Sequence, residues 1–210
     1  MTEFDIKAAG WDQNQMHWDR SAAIVKSLLN QVPVKKEWKI LEFGAGTGIT
    51  SFLLKDHASE TVMMDTSAEM VRIMNEKVIK SGTSNLKPLL FDLEKEEWTG
   101  EKFNLLITQM VLHHVIDVEH ILKKFYEIIL PGGYLAISDL YPEDGSFHGK
   151  GFIGHKGFDI NGLSDMLRET GFANISSGKC FSINRTNEHG LTKSFDLFLL
   201  IAYRPDNHLL

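Results

Sequence analysis

Two spacings of apolar residues alternate along most of the chain. Short, nearly unbroken apolar runs, such as Lys39 to Phe43 and Glu60 to Asp65, are typical of strands that are buried on both faces. Between them, apolar residues recur at every third or fourth position, as from Asp12 to Val32, where Pro33 ends the helical pattern. The alternation predicts a chain that passes repeatedly from strand to helix.

Three further strands are predicted before residue 141: Leu86 to Phe91, Phe103 to Thr108 and Tyr134 to Leu140. Thr66 and Glu69 have capping-box spacing ahead of the helix that follows the second strand, and Gly82 is placed to end that helix. Asp117 is expected to cap the helix that follows the fourth strand. Strands and helices in this order predict a doubly wound α/β fold with a mostly parallel sheet.

The end of the chain changes character after a Gly-rich segment at residues 143–157. Asp159 is expected to cap one more helix, which Gly171 would end. Two strand-like segments, Ala173 to Asn184 and Ser194 to Tyr203, are then joined by a polar turn too short for a crossover helix, so they should pair antiparallel. The prediction is a seven-stranded sheet, mostly parallel, with an antiparallel C-terminal hairpin.

Length and composition narrow the classes of protein that fit this pattern. The 210 residues, 43% hydrophobic and 24% charged, are typical of a single globular domain. We expect residues 1–36 to form a helical lid and residues 37–210 to form the core. The formal net charge of −6 leaves no overall basic field for nucleic acid.

Cysteine content and hydropathy bear on location. The single cysteine, Cys180, cannot form an intramolecular disulfide. No apolar run approaches the roughly 20 residues that span a bilayer, and the first residues lack the basic and apolar regions of a secretory leader. We therefore expect a cytoplasmic protein that makes no membrane contact, and both monomer and homodimer remain open.

A glycine-rich turn, Gly44-Ala45-Gly46-Thr47-Gly48, directly follows the first predicted strand. Glycines at such a turn let a ligand approach the backbone closely. The dinucleotide fingerprint requires another glycine where this chain has Ile49, which argues against NAD. Asp65, at the end of the second strand, is placed to accept hydrogen bonds from both hydroxyls of a ribose. A purely structural turn and a capping aspartate remain alternatives.

Five motifs in this order resemble the class I S-adenosylmethionine-dependent methyltransferases, in the small-molecule group around the ubiquinone and menaquinone C-methyltransferases. They are LEFGAGTG at 41–48, MDTSAEM at 64–70, FDL at 91–93, FNLLITQMVLHHVID at 103–117 and LPGGYLAISD at 130–139. The resemblance covers nearly the whole chain. It implies a Rossmann-like fold, S-adenosylmethionine as cofactor and S-adenosylhomocysteine as product.

The resemblance also implies which residues contact the cofactor. They lie at or after the ends of the first four strands: Glu42, Gly44, Ala45, Gly46 and Gly48 at the methionine part, Asp65 at the ribose, Thr66, Met70, Phe91, Asp92 and Leu93 at the adenine, and Gln109 with Met110 near the methyl group. Met70 and Leu93 are also consistent with ordinary core positions.

The methyl acceptor, and the kind of atom methylated, stay open at this stage. A sulfonium methyl is already activated, so an enzyme mainly has to align the nucleophile and exclude water. A general base helps an oxygen or nitrogen nucleophile, and His113, Tyr141 and His155 are the candidates, with structural roles as the alternative. Trp11, His17 and Trp18 are expected to form a lid over the substrate, or else to belong to a packed amphipathic helix.

Several other classes of function can be weighed against this one. No metal is expected, because His113 and His114 should point apart on a helix and no further ligand has suitable spacing. The chain has no Pro-Pro pair and only one cysteine, which excludes the amino-methylating nucleic-acid and glutamine enzymes and the multi-cysteine arsenite type. A non-catalytic S-adenosylmethionine-binding protein and an NAD-dependent oxidoreductase remain as alternatives.

Overall fold

A computed structural model describes residues 3–149, 151–186 and 190–206. Its strands are β1 Lys39–Phe43, β2 Glu60–Asp65, β3 Leu86–Leu90, β4 Phe103–Gln109, β5 Ile129–Leu140, β6 Ala173–Thr186 and β7 Thr192–Tyr203. They form one seven-stranded sheet in the order β3-β2-β1-β4-β5-β7-β6. Neighbours from β3 to β5 pair parallel, whereas β7 pairs antiparallel with both β5 and β6. The predicted mixed, Rossmann-like sheet is confirmed.

Helices cover both faces of this sheet. They are α1 Glu3–Lys7, α2 Gln15–Gln31, α3 Ile49–Leu54, α4 Ala68–Ser81, α5 Val118–Ile128 and α6 Ile160–Thr170, with 3₁₀ turns at Ala8–Gln13 and Leu112–His114. Successive residues of β4 point to opposite faces of the sheet. Leu106 packs with Phe125 of α5 on one face, and Ile107 packs with Leu28 of α2 on the other. None of the helices described is long and apolar enough to cross a membrane.

Helix ends follow the predicted caps with one exception. Asp117 accepts a hydrogen bond from the His120 amide at 2.9 Å, and Asp159 accepts one from the Gly162 amide at 2.8 Å. The prediction that Thr66 caps α4 is wrong by one residue. The Ser67 hydroxyl accepts from the Met70 amide instead, because the turn after β2 is one residue longer than the pattern implied.

The C-terminal strands differ from prediction in where they join the sheet. The sequence predicts a hairpin but not that β7 inserts between β5 and β6. Burial explains the order, because residues 197–202 of β7 are buried on both faces, whereas most of β6 is exposed or half-buried, as befits an edge strand. β5 also starts earlier than predicted, at Ile129, and three residues of the predicted polar turn, 187–189, lie outside the described residues.

Candidate active site

A cavity of about 620 Å³ opens at the carboxyl ends of β1, β2 and β4. Its volume falls within the range of small-molecule sites, about 300–1,000 Å³. The chain leaves β1 toward β2 on one side and later adds β4 on the other, which is the position where doubly wound sheets bind ligands. Residues of α1, of the following 3₁₀ turn and of α2 cover the cavity.

The glycine turn forms one wall of this cavity. Gly44, Gly46 and Gly48 all have positive φ, at 70°, 58° and 81°. Gly44, Ala45 and Gly46 line the cavity, whereas Gly48 does not. A Cβ on Gly48 would lie 2.9 Å from the Met63 sulfur, so this glycine allows close packing behind the turn rather than close approach of a ligand.

Asp65 is fixed by the backbone around it. One carboxylate oxygen accepts from the Gly46 amide at 2.7 Å, and the other accepts from the Ser67 amide at 2.9 Å. Burial raises the pKa of Asp65, although these amides act in the opposite direction. A carboxylate offers about four acceptor sites, so Asp65 can still accept a hydrogen bond from a ligand. Asp65, Thr66 and Met70 all line the cavity.

Glu42 lies beneath the glycine turn, as predicted by the resemblance. It is 3% exposed and accepts hydrogen bonds from the amide and the hydroxyl of Ser51. Burial raises the pKa of Glu42 to about 7. Glu42 also lines the cavity, so this hydrogen-bonded carboxyl group forms part of the cavity wall.

The segment after β3 brings only part of the predicted adenine contacts to the cavity. Phe91 lines it, together with Glu94, which was not singled out from the sequence. Asp92 does not line it, and its carboxylate accepts from the Lys95 ammonium at 2.6 Å. Leu93 does not line it either, because its side chain is fully buried in the core beneath α5.

The end of β4 presents Gln109 and Met110 to the cavity. The Gln109 side-chain amide donates to the Ser21 hydroxyl at 2.9 Å, whereas its oxygen is buried without a partner among the described residues. Met110 has a φ of 58°, rare for a residue with a side chain, and its amide donates to the Ser138 carbonyl. Such local strain often marks a functional site.

His113 lies in the 3₁₀ turn that follows β4, and it lines the cavity although it is only 1% exposed. Its Nδ1 donates to Asp139 at 2.7 Å, and the other Asp139 oxygen accepts from the His113 amide at 3.2 Å. A proton on Nδ1 leaves Nε2 as a proton acceptor. Asp139 was not predicted from the sequence, although its place at the end of β5, beside β4, favours such a contact.

Two more histidines lie next to His113. Its ring centre is 4.2 Å from that of His114 and 4.9 Å from that of His148. The expectation that His113 and His114 point apart is wrong, because they occupy a 3₁₀ turn rather than an α-helix. Burial lowers the pKa values of His114 and His148 to about 4. Asp117 and His120 do not join this group, since Asp117 caps α5 and His120 is exposed.

Tyr141 and His155, the other candidate bases, do not line the cavity. His155 donates through Nε2 to the Val115 carbonyl at 3.0 Å and packs against Phe158. The Tyr141 ring packs against Phe198, and burial raises the pKa of its hydroxyl. Their contacts support the structural alternative for both residues.

Two of the three residues predicted to form the lid line the cavity. Trp11 and His17 line it with their rings 4.2 Å apart, and His17 Nδ1 donates to the Trp11 carbonyl at 2.9 Å. Trp18 lies outside the lining and donates to the Asp12 carbonyl at 3.0 Å. Lys77 donates both to the Asp12 carboxylate and to the Thr47 carbonyl, which ties this segment to the glycine turn.

Two arginines that were not predicted from the sequence also line the cavity. Arg20, on α2, is 7% exposed, and its Nε is buried without a partner in the described part of the chain. Burial lowers the pKa of Arg20 to about 10. Arg185, on β6, lies over the Phe147 ring, with 3.8 Å between the guanidinium carbon and the ring centre.

Comparison with known proteins agrees with this geometry. A family described as a methyltransferase domain matches residues 16–186. An uncharacterized methyltransferase of Schizosaccharomyces pombe is 24% identical over 178 residues, which cover 75% of this chain and 63% of that protein. The chain thus spans less than two thirds of the length of the curated relatives it matches.

Solved structures share the fold at low sequence identity. One chain in the complex between the Haloferax volcanii Trm112 methyltransferase activator and a methyltransferase aligns with a TM-score of 0.77 and 19% identity, over 98% of this chain and 99% of that one. Haemonchus contortus phosphoethanolamine N-methyltransferase 2, solved with phosphomonomethylethanolamine and S-adenosylhomocysteine, aligns with a TM-score of 0.72 and 16% identity, over 90% of this chain and 53% of that one. This chain belongs to the methyltransferase-domain family and has the fold of the class I S-adenosylmethionine-dependent enzymes.

Proposed function

We propose that this protein transfers a methyl group from S-adenosylmethionine to a small-molecule acceptor. The observation that carries the proposal is that one cavity joins the glycine turn and Asp65 on one side to His113 on the other. A nucleotide-binding wall and a proton acceptor therefore share a covered space. Methyl transfer needs both alignment of the reactants and exclusion of water.

The residues at the glycine-turn side fit S-adenosylmethionine, which supplies a methyl group already activated on a sulfonium. The Asp65 carboxylate, held by backbone amides, would accept hydrogen bonds from the ribose hydroxyls. Met70 and Phe91 provide apolar surface for a purine, and the turn at Gly46 gives access to the backbone. The assignments of Asp92 and Leu93 to the adenine stay predictions.

His113 is the proposed general base. Asp139 fixes the orientation and the tautomer of its ring, so that Nε2 can accept the proton that a hydroxyl or amine nucleophile loses on methylation. Trp11 and His17 would keep water away from the reacting atoms. This arrangement favours an oxygen or nitrogen acceptor, and Asp139 acts as a positioning residue.

Calorimetric titration tests the cofactor. S-adenosylmethionine and S-adenosylhomocysteine are expected to bind with micromolar affinity, and NAD is expected not to bind. Asp65→Ala should weaken both sulfur nucleotides by at least about 100-fold, because it removes the ribose acceptor and the partner of the Gly46 amide. Asp165→Ala, on the outer face of α6, is the control. Tighter binding of NAD would refute the proposal.

Turnover separates the enzyme from its non-catalytic alternative, a protein of the same fold that only binds the cofactor. Formation of S-adenosylhomocysteine with a panel of hydroxyl and amine acceptors supports the enzyme. Binding without turnover across the panel supports the alternative.

The proposal extends to the family subgroup of the protein and to its location in the cell. The order of the five motifs favours the group around the ubiquinone and menaquinone C-methyltransferases, although the signatures expected of the quinone enzymes are not evident. We also propose one domain with residues 1–36 as its lid, a cytoplasmic location, a monomer or homodimer, and no nucleic-acid partner. The net charge of −6 supports the last point.

A further inference from the structure

Positive charge is concentrated on one side of the cavity, although the whole chain carries a net charge of −6. Arg20 and Arg185 line this side, and the charge of Arg185 acts to lower the pKa of Arg20, in the same direction as burial. They come from α2 and β6, two elements that pack together. The fold thus brings two cations of distant sequence positions to one wall.

Arg20 is the more unusual of the two. It is 7% exposed, its Nε is buried without a hydrogen-bond partner, and no ion pair joins it to an acid in the described ranges. Asp139 is the acid whose field reaches it, but both Asp139 oxygens already accept hydrogen bonds from His113. A buried charge without a partner is strongly unfavourable. Such a group calls for an anion that the protein itself does not supply.

Arg185 has donors to spare as well. Its Nη1 donates to the Phe147 carbonyl, and its guanidinium stacks on the Phe147 ring, which holds the side chain in place. β6 is the fourth strand from β1 across the sheet, which is a separation of about 19 Å at the usual strand spacing. Arg185 therefore stands on the side away from the glycine turn, where an acceptor would enter.

The acids that line the cavity interact elsewhere. Glu42 bonds to Ser51, Asp65 to backbone amides at the glycine turn, Glu3 to Lys7 and Glu94 to the Ile116 amide. Across the residues that the structure describes, none of them is paired with either arginine. The positive charge of this wall is left for a ligand.

We propose that the methyl acceptor carries a carboxylate or phosphate group, which binds between Arg20 and Arg185. The inference rests on the proposed function, since it specifies the substrate class of the same cavity. Guanidinium groups suit this task, because their fork of N–H donors matches the oxygens of both anions. The methionine carboxylate of the cofactor is a second possible source of the anion, and the experiment separates the two.

Thermal unfolding of the protein saturated with S-adenosylhomocysteine tests the site, with inorganic phosphate and malonate as probes. Each probe is expected to raise the melting temperature beyond sodium chloride of equal ionic strength. Arg20→Met and Arg185→Met should each weaken the probes by about tenfold to 100-fold, because each removes charged hydrogen bonds. Arg168→Met, an exposed arginine of α6, should leave their binding unchanged. Arg20→Lys keeps the charge without the fork and should bind with intermediate affinity.

Calorimetry of the same variants identifies the source of the anion. S-adenosylhomocysteine has a carboxylate, whereas 5′-methylthioadenosine lacks the amino-acid part. If the acceptor supplies the anion, Arg20→Met leaves the affinities for both nucleosides within about twofold of the parent. If Arg20→Met weakens S-adenosylhomocysteine alone by tenfold or more, Arg20 holds the cofactor carboxylate and the acceptor proposal is overturned.

The remaining outcomes distinguish this inference from the proposed function. If S-adenosylhomocysteine binds but neither probe stabilises the complex, the anion site is wrong and the methyltransferase proposal stands. The anion site is equally wrong if both arginine variants respond to phosphate as the parent does. If S-adenosylhomocysteine fails to bind, the proposed function falls, and with it the assignment of this wall to an acceptor.

Discussion

The two sides of the cavity differ in how their polar groups are satisfied. On the glycine-turn side, Glu42 bonds to Ser51 and Asp65 bonds to two backbone amides, so the carboxylates are held before any ligand arrives. On the opposite side, among described residues, buried polar atoms without partners remain: Arg20 Nε, Gln109 Oε1 and His148 Nε2. The polar groups of the glycine-turn side are thus held by protein partners, whereas buried polar atoms on the other side lack them.

This difference indicates a division of labour. A preorganised wall suits a ligand that every member of a family shares, because no rearrangement is needed to bind it. Unsatisfied groups are unfavourable in the free protein, and they gain partners only when the matching ligand is bound. The glycine-turn side thus fits a common cofactor, and the arginine and histidine side fits an acceptor particular to this protein.

Loss of the proposed base should have the largest effect on the histidine side of the cavity. His113→Asn should lower the rate of methyl transfer by about 100-fold to 10,000-fold, the usual effect of losing a general base. Affinity for S-adenosylhomocysteine should stay within about twofold, because His113 lies on the acceptor side. Single-turnover kinetics and calorimetry measure the two quantities.

A matched histidine controls for nonspecific damage. His155→Gln alters a histidine that bonds to the Val115 carbonyl and does not line the cavity, so its rate should fall less than threefold. Equal losses in both variants, or an acceptor methylated by His113→Asn at the parent rate, would remove His113 from the chemistry.

The sequence predicts the backbone of the glycine-turn side well because its features are local. β1 and β2 have the predicted bounds, and Asp65 and the turn lie within 22 residues of each other along the chain, from 44 to 65. Gly48 is the exception, since only the packing of Met63 beneath it shows that it faces away from the cavity. A contiguous motif specifies backbone shape, which is what this side needs.

On the arginine and histidine side the sequence indicated His113 but not Arg20, His148 or Arg185, because this side is assembled from distant segments. Arg185 reaches it only because β7 inserts beside β5 and places β6 next to α2. His148 comes from the loop after β5, where no periodic pattern restricts its place. The long apolar run of β7 is typical of a central strand, so its insertion beside β5 could have been predicted from the sequence. The side-chain positions of Arg185 and His148 could not.

Lowering the pH should change the stability contributions of the two sides in opposite directions, through Glu42 on one side and His148 on the other. Burial raises the pKa of Glu42 to about 7, so its contribution to stability is largest below the unfolded value near 4.5 and is lost as the pH rises toward 7. Burial lowers the pKa of His148 to about 4, so its contribution is full above about 6.5 and is lost as the pH falls toward 4.

Urea unfolding at about pH 5 and pH 7.5 resolves these contributions. The unfolding free energy of the parent should fall between pH 5 and pH 7.5 as Glu42 ionises, whereas Glu42→Gln lacks this loss. The difference between variant and parent should therefore shift by about 2 kcal/mol in favour of the variant. His148→Gln should lose about 1 kcal/mol over the same change, less than a full burial would give, because this half-buried histidine is screened by solvent. If the unfolding free energies of the parent and both variants change equally with pH, the opposite contributions of Glu42 and His148 are refuted.

Arg20 offers a smaller, more specific test in the ligand-free protein. Arg20→Met should raise the free energy of unfolding by about 1 kcal/mol, because it replaces an unpaired buried charge with an apolar chain of similar length. Urea unfolding at neutral pH measures the change, and Arg168→Met should stay within about 0.5 kcal/mol. A clear loss of stability in Arg20→Met would mean that the folded protein already satisfies this guanidinium.

The smallest effect is expected from metal removal, although the ligand atoms of His113, His114 and His148 lie within 4.8 Å of one another. Tetrahedral zinc with Zn–N bonds of about 2.0–2.1 Å would require neighbouring nitrogens about 3.4 Å apart, so the three rings would have to move together. A metal on His113 Nε2 would also occupy the lone pair that accepts the proton. Dialysis against EDTA should therefore change turnover less than twofold, and elemental analysis should find less than 0.1 equivalents of metal, about the background of a protein without a site. Stoichiometric zinc that His148→Gln eliminates, together with turnover lost on chelation, would instead identify the histidines as a metal centre and leave His113 without its role as base.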